Sequence, residues 1–374
     1  MRILFLTPWY PDEEQPNHGI FVRDQVRALA TAGHEVRVVT AKVNYRRFGF
    51  LSRRVTTEND GSVRVHNIRA ARSFPLFNQV NFFLICRKET LRIITDFRPD
   101  IIHGNIGYPG ACWSWLVSNA TGIPYVITEH TLLHNNFRSA VHRLLTIAFI
   151  RRAHRVITVS RHSADIILKL TGVQAVVIPN VVDFSLFRDI HPFPPAPPLR
   201  IGFLGSSFFR KKGLDTLLMA IRELPDIELH IGGHDGTDHQ HFTSMAESLG
   251  LADRCIFHGP IVRSAVPAFM SRLHFFVSAS VFESFGVTIA EAMACGLPVV
   301  CTESGGPSDF TDVTSGILVP VGDVEKLRSA IVSMCLHYRE YDREKIRQQV
   351  VRRFNSEAIA TEIVQVYRTA VLSS

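Results

Sequence analysis

Short apolar runs alternate along this chain with longer segments whose apolar residues recur every three or four positions. That is the pattern of buried strands alternating with amphipathic helices. RILFLT (2–7) predicts a first strand, WYPDEEQPNHGI a loop, FVRDQVRALATAG a helix closed by Gly33, and HEVRVVTA (34–41) the next strand. Such a βαβ opening implies a parallel sheet with a right-handed crossover. A basic, aromatic stretch at 45–55 follows, then strands at 62–68, 100–105, 124–130, 154–160 and 175–180. Helices are predicted between them at about 79–97, 109–122, 142–153 and 161–172. The segment HPFPPAPPLR then interrupts the rhythm, with five prolines in the seven residues 192–198. It reads as an extended, semi-rigid spacer.

Beyond it the alternation restarts with LRIGFLG, GLDTLLMAIREL, DIELHIGG, MAESLGL, CIFHGP, VPAFMSR and HFFVSAS. A strand in SGILVPV (315–321), a helix at 324–341 and a last helix at about 356–371 complete the chain. This regularity means α/β architecture with helices on both faces of each sheet. The expected organisation is two Rossmann-like domains, 1–190 and 199–355, joined by a hinge at 191–198. The C-terminal segment 356–374 is free to pack back on the first domain. A ligand cleft is expected between the domains, at the carboxyl ends of the strands.

Composition narrows the partners. With 374 residues, 46% hydrophobic and 20% charged, the chain can bury two ordinary cores. A net charge of +7 favours an anionic partner, and nucleotide diphosphates, anionic lipid and nucleic acid all qualify. The basic residues are scattered in twos and threes and no nucleic-acid motif appears, so no nucleic-acid partner is expected. The N-terminal apolar run is too short for a signal peptide, and no stretch approaches the length of a membrane span. Six dispersed cysteines without a C-x-x-C pair fit reduced thiols in a cytoplasmic protein without structural zinc. The seventeen histidines show no ligand spacing on a helix, so no metal is expected.

The chemistry concentrates in VFESFGVTIAEAMACGLPVVC (281–301). Here a strand runs into a loop carrying Glu283, and a helix begins near Phe285–Gly286. Free N–H groups and the helix dipole make its start an anion site, and Gly286 is expected to let a ligand approach the backbone. Glu291 lies one to two turns inside the helix. Amides for phosphate flanked by two carboxylates suit a sugar nucleotide, whose hydroxyls donate to carboxylate. Two other readings remain: a solvated Glu pair favouring the dipole, and a glycoside-hydrolase pair, against which the phosphate-ready helix start argues. Lys212, in RKKG at a strand–loop–helix junction, is a phosphate ligand or a plain surface charge. His130, at a strand end, is catalytic or structural. IGGHDG (231–236) reads as a turn with a possible base contact. Tyr45 to Arg54 and the helix at 137–153 either touch an anionic membrane surface or are a solvated loop and a core-facing helix.

ESFGVTIAE followed by AMACGLPVV and SGGPSD closely resembles the retaining glycosyltransferases of family 4, whose two-Rossmann-domain fold is called GT-B. TPWYPDEEQPNHGIFVRDQVRAL, PDIIHGN, GIPYVITEH, VITVS, VIPNVVDFSLF and FFRKKGLDTLL are similar to family segments in the expected order. The resemblance implies that Glu291 accepts from the nucleotide ribose and that Glu283 contacts donor-sugar hydroxyls. It also implies that the amides of Phe285, Gly286 and Val287 face sugar and phosphate, and that Lys212 neutralises the diphosphate. By the same resemblance His130 acts near the donor sugar or phosphate, while His18 and Gly19 shape the acceptor side. The family's G-R-x-x-x-x-K pattern reads here as Gly205-Ser206-Ser207-Phe208-Phe209-Arg210-Lys211-Lys212. Gly205 joins the donor-binding set, with Arg210 or Lys211 standing for the missing Arg. The acid after the paired glycines is Asp309 instead of Glu. The implied activity is sugar transfer from a nucleotide diphosphate sugar to a carbohydrate or lipid-linked acceptor in cell-surface polysaccharide or glycolipid synthesis. Retention, no metal or other cofactor, and a place in the cytoplasm or on the inner membrane face go with it. Alternatives are a sugar-nucleotide epimerase of the same fold and a catalytically silent glycosyltransferase-like partner.

Overall fold

The computed structural model describes residues 1–15, 18–74, 77–131, 133, 137, 139–205, 210–233 and 237–372. The chain divides into two compact units, one of Met1–Val181 with Ser356–Ser374 and the other of Val182–Asn355.

The first unit contains β1 (Arg2–Thr7), α1 (Ile20–Thr31), β2 (Glu35–Phe48), β3 (Arg53–Asp60), β4 (Val63–Arg72), α2 (Asn78–Phe97), β5 (Ile101–Asn105), α3 (Cys112–Thr121), β6 (Tyr125–Glu129), α4 (Ala140–Arg151), β7 (Arg155–Thr158), α5 (Arg161–Thr171) and the short β8 (Val176–Val177). Its sheet has the order β3-β4-β2-β1-β5-β6-β7-β8. Every pairing is parallel except that of β3 with β4. Successive residues of β1 face opposite sides. Ile3 and Phe5 pack with Val22, Val26 and Leu29 of α1, while Leu4 and Leu6 pack with Phe82 and Ile85 of α2 and Trp113 of α3. Because both faces are covered, the strand is apolar throughout and does not alternate.

The second unit contains β9 (Leu199–Gly205), α6 (Leu214–Ile221), β10 (Ile227–Gly233), α7 (Thr237–Ser248), β11 (Cys255–Phe257), α8 (Val266–Met270), β12 (Phe275–Ser278), α9 (Val287–Ala294), β13 (Val299–Thr302), β14 (Gly316–Val319), α10 (Val324–His337) and α11 (Arg343–Phe354). Its sheet is wholly parallel, in the order β11-β10-β9-β12-β13-β14. The strand order reverses between β9 and β12 here, and between β1 and β5 in the first unit. Loops leaving such neighbours diverge to opposite faces and open a crevice at the carboxyl ends of the strands.

Four features differ from the sequence reading. Residues 45–54 are a loop only at 49–52: β2 continues to Phe48, and β3 begins at Arg53 and runs antiparallel along β4. The strand expected at 175–180 shortens to Val176–Val177. A helix unassigned from sequence, α11, lies at 343–354, its Asp342 accepting from the Lys345 N–H at 3.1 Å. The units divide at 181/182 and not at the prolines. Those prolines are fastened to the second unit: Pro194 O accepts from His274 Nε2 (3.1 Å), and the Arg343 guanidinium lies 4.2 Å from the Phe193 ring centre. The final helix, α12 (Ser356–Leu372), places Ile359, Ile363 and Tyr367 in the core of the first unit.

Candidate functional site

In the second unit the loops after β9 and β12 meet at the reversal of strand order. Gly213 starts α6 at a left-handed φ of +72°, and a Cβ there would overlap the carbonyl oxygen of Ala279. This close approach brings Lys212 to the loop after β12. Its Nζ donates to Glu283 Oε1 at 2.6 Å, and the Ser280 hydroxyl donates to the same oxygen at 2.8 Å. Glu283 is buried, and its backbone is clamped between the Ser304 carbonyl and the Gly306 N–H, both at 2.9 Å. Gly306 is required for that clamp, because a Cβ would stand 2.5 Å from Phe285 Cα. Thr302 fixes Ser280 in turn, donating to its carbonyl at 2.6 Å.

Helix α9 begins immediately after. The first helical hydrogen bonds run from the N–H groups of Ile289 and Ala290 to the Gly286 carbonyl. The amides of Val287 and Thr288, which open the helix, therefore have no intrahelical acceptor. Gly286 needs its φ of +95°, and a Cβ there would point inward to Pro307 Cγ at 3.1 Å and Ile289 Cδ1 at 3.3 Å. The expectation that this glycine clears space for a ligand is corrected: its absent side chain clears space for the protein's own interior. The Phe285 ring is also structural, packed 5.4 Å from Phe310 and 5.0 Å from Phe354. Glu291 is buried within α9, with Arg263 Nε 3.9 Å from its Oε1.

Gly205 ends β9 beside Gly233 of β10. Arg210 is exposed, its Nη2 3.2 Å from His241 Nε2. Ser206 to Phe209, where the sequence departs from the family pattern, lie outside the described residues, as do His234 to Gly236 of the glycine turn.

In the first unit, the strand ends hold a buried polar cluster. His130 follows β6, with its Nε2 2.9 Å from Asn105 Oδ1 and its Nδ1 3.2 Å from Asn180 Oδ1. Burial pulls its pKa down to about 3, partly offset by the Asn180 bond, so the imidazole is neutral. A neutral ring has one N–H and so can donate to only one of these oxygens. The Asn105 amide nitrogen finds no partner among the described residues. Turned toward Nε2, it would donate to the ring and satisfy both groups. Phe21 of α1 lies against the ring at 4.6 Å. The neighbouring Glu129 reads in the sequence as no more than a charged strand end. It is fully buried and accepts from the Gly107 N–H (2.6 Å), the Thr131 N–H (2.9 Å) and the Thr131 hydroxyl (2.6 Å). Burial raises its pKa against these bonds.

Gly19 starts α1 at φ +76°, where a Cβ would stand 2.5 Å from the Trp9 carbonyl. It thereby holds the loop after β1 against the helix. His18 is half-buried with its ring 5.9 Å from Trp9, and its pKa is lowered by burial and by Lys42. Sequence reasoning does not single out Asn105, Asn180, Glu129, Ser280 or Arg263. The first three stand at or just after strand ends, the position that could have marked them.

Two family models match consecutive parts of the chain: Glycosyltransferase Family 4 over residues 18–186, and Glycosyl transferases group 1 over 198–337. A 2-deoxystreptamine N-acetyl-D-glucosaminyltransferase of Streptomyces fradiae is 31% identical over 266 residues, 63% of this chain and 62% of that enzyme. A component of the phosphatidylinositol N-acetylglucosaminyltransferase of Arabidopsis thaliana is 28% identical over 215 residues, 55% of this chain and 48% of that component. The match thus spans roughly half to three-fifths of these relatives' own lengths. Among solved structures, sucrose-phosphate synthase from Thermosynechococcus elongatus superposes with a TM-score of 0.80 at 23% identity, covering all of both chains. The fold is therefore GT-B.

Proposed function

Since the chain belongs to the family 4, group 1 glycosyltransferases, we propose that it moves a hexose-type sugar from a nucleotide diphosphate to an acceptor hydroxyl, with retention at the anomeric carbon. The observation that carries this reading is the Lys212–Glu283–Ser280 cluster beside the open amides of α9. Lys212 has three donors, so it can hold Glu283 and a phosphate oxygen together. The amides of Val287 and Thr288 take the diphosphate, Glu283 takes the sugar hydroxyls, and Glu291 takes the ribose diol. As the bond from the anomeric carbon to the phosphate oxygen breaks, charge gathers on that oxygen, and Lys212 with the helix start stabilises it. The new bond forms from the acceptor oxygen on the same face, and the acceptor proton passes to the leaving phosphate. No side chain forms a covalent intermediate. His18 and Gly19 serve the acceptor, and His130 acts as a neutral hydrogen-bonding group, not a base. No metal ion takes part in this scheme.

Both relatives named above carry N-acetylglucosaminyl transfer in their names, so the nucleotide diphosphate of N-acetylglucosamine heads the donor panel. The lipid in one of those names favours a lipid-linked acceptor. Donors are screened by thermal shift, because a ligand that binds only the folded state raises the melting temperature. Glu291→Ala should weaken donor binding about thirtyfold, equivalent to losing about 2 kcal/mol of charge-assisted hydrogen bonding. Calorimetry showing unchanged affinity would refute the ribose role. Donor incubated without acceptor should stay unaltered; an isomer in that sample would make the protein an epimerase.

A further inference from the structure

The first unit carries an exposed apolar face that sugar transfer does not use. From the end of β2 and the turn before β3, Tyr45, Phe48 and Phe50 project, and from the approach to α2 Phe74 and Phe77; each is more than half exposed. These residues form one surface. The Phe48 and Phe74 rings meet edge-on at 5.1 Å, the Gly49 N–H donates to the Arg72 carbonyl at 2.9 Å, and the Leu51 N–H donates to Asn81 Oδ1 at 2.7 Å. The surface continues through Tyr108, whose hydroxyl donates to Gln79 of α2 at 2.8 Å and whose ring lies 4.2 Å from His142 of α4. On α4, Val141 and Leu144 are again more than half exposed. So large a contiguous apolar surface on a folded unit marks a contact site.

Charge identifies the partner. Arg46, Arg47, Arg54 and Arg72 stand exposed among the aromatic rings. No Asp or Glu occurs in 45–57 or 61–88, and between 101 and 164 the one carboxylate is the buried Glu129. Aromatic side chains edged by arginines, in segments that themselves hold no exposed carboxylate, suit the boundary between acyl chains and anionic headgroups. Among the described residues no helix is long and apolar enough to cross a membrane. The geometry points to a docking face for an anionic phospholipid surface, formed by the turn between β2 and β3, the start of α2 and the start of α4. Its consequence for the acceptor rests on the transfer reaction proposed above. Tyr108 lies in the segment Gly107–Ala111, which Glu129 fastens next to His130. An acceptor anchored in that surface would reach the first unit's polar cluster along this segment.

Flotation of the full chain tests the face without needing turnover. The probes are phosphatidylcholine vesicles and vesicles of phosphatidylcholine with phosphatidylglycerol, at low and high salt. The wild type should float with the anionic vesicles only, and less at high salt. Arg46→Glu/Arg47→Glu should cut partitioning at least twenty-five-fold, at about fivefold per basic residue. Phe48→Ser/Phe74→Ser should cut it without changing the salt dependence. Donor calorimetry on both variants should match the wild type, certifying their fold. The proposal is overturned if the wild type never floats, or if both variants float as it does. It is equally overturned if the face instead holds a second copy, seen as a wild-type dimer that the Phe variant dissolves in lipid-free chromatography. Flotation without donor binding would sink the transferase reading and leave the docking face standing.

Discussion

Gly213 and Gly250 have the same φ of +72°, yet a methyl group would meet very different surroundings at the two positions. At Gly250 nothing lies within 4 Å, whereas at Gly213 the methyl would overlap the Ala279 carbonyl oxygen. Gly250→Ala should therefore cost only the left-handed strain, about 1–2 kcal/mol. Gly213→Ala should cost that and displace the loop that brings Lys212 to Glu283, so donor affinity should fall along with stability. Urea denaturation and donor calorimetry on the two variants separate the effects; equal losses in both assays would refute the positional argument. Gly286 carries the same lesson for reading a sequence. That the motif demands a glycine is legible in ESFG, but the direction of its missing Cβ depends on Pro307 and Ile289, which only the fold brings there. Glu129 is illegible for a related reason. A carboxylate at a strand end reads as solvated until the turn that supplies the Gly107 and Thr131 donors is known.

At the scale of elements, α12 shows how a terminal helix can complete a core distant in sequence. Its Tyr367 hydroxyl lies 2.5 Å from His103 Nδ1, and His103 Nε2 lies 2.7 Å from the Thr128 hydroxyl. Residues 103 and 105 share one face of β5, and 128 and 130 share one side at the end of β6, so this network underlies the Asn105–His130 pair. Tyr367→Phe leaves a buried imidazole nitrogen without its partner and should cost about 1–3 kcal/mol. Deleting α12 removes buried Ile359, Ile363 and Tyr367, roughly 1.5–3 kcal/mol each, which approaches the whole stability of a domain. The chain ending at 355 should therefore lack a cooperative unfolding transition in its first unit; a normal transition would show that the helix is dispensable. The alternation of strands and helices is plain in the sequence because both sheets are covered on both faces. α11 escapes because half of its twelve residues are charged and it buries only Ile346, Val350 and Phe354, a stripe one residue wide. The end of β2 and the start of β3 escape because exposed Arg and Phe at 46–54 carry no inside–outside alternation for a sequence to display.

Across the molecule, burial depresses histidines in both units, and the strongest cases gather in the first. His103 and His130 both fall to about 3, chiefly by burial; nearby His130 lowers His103 further, while Asn180 partly supports the charged form of His130. An unfolded histidine titrates near 6.5, so between about pH 6.5 and 3 the unfolded chain binds protons that the folded chain refuses. The stability these residues contribute is complete above about 6.5 and is lost as pH falls. Two such groups give a slope of up to about 2.7 kcal/mol per pH unit. Asp12 and Asp60 are held below the ordinary carboxylate range, against burial, by Lys42 and by Arg27 with Tyr10 respectively, so their loss comes at still lower pH. All three tryptophans, Trp9, Trp113 and Trp115, belong to the first unit, so tryptophan fluorescence reports its unfolding alone. The urea midpoint read this way should fall steadily from pH 7 to pH 5, while donor binding to the second unit changes far less. His103→Gln should remove about one proton from the slope, whatever it does to stability at pH 7. A midpoint independent of pH over that range would mean that neither imidazole is held neutral by burial, and His130 would then be free to act as a base.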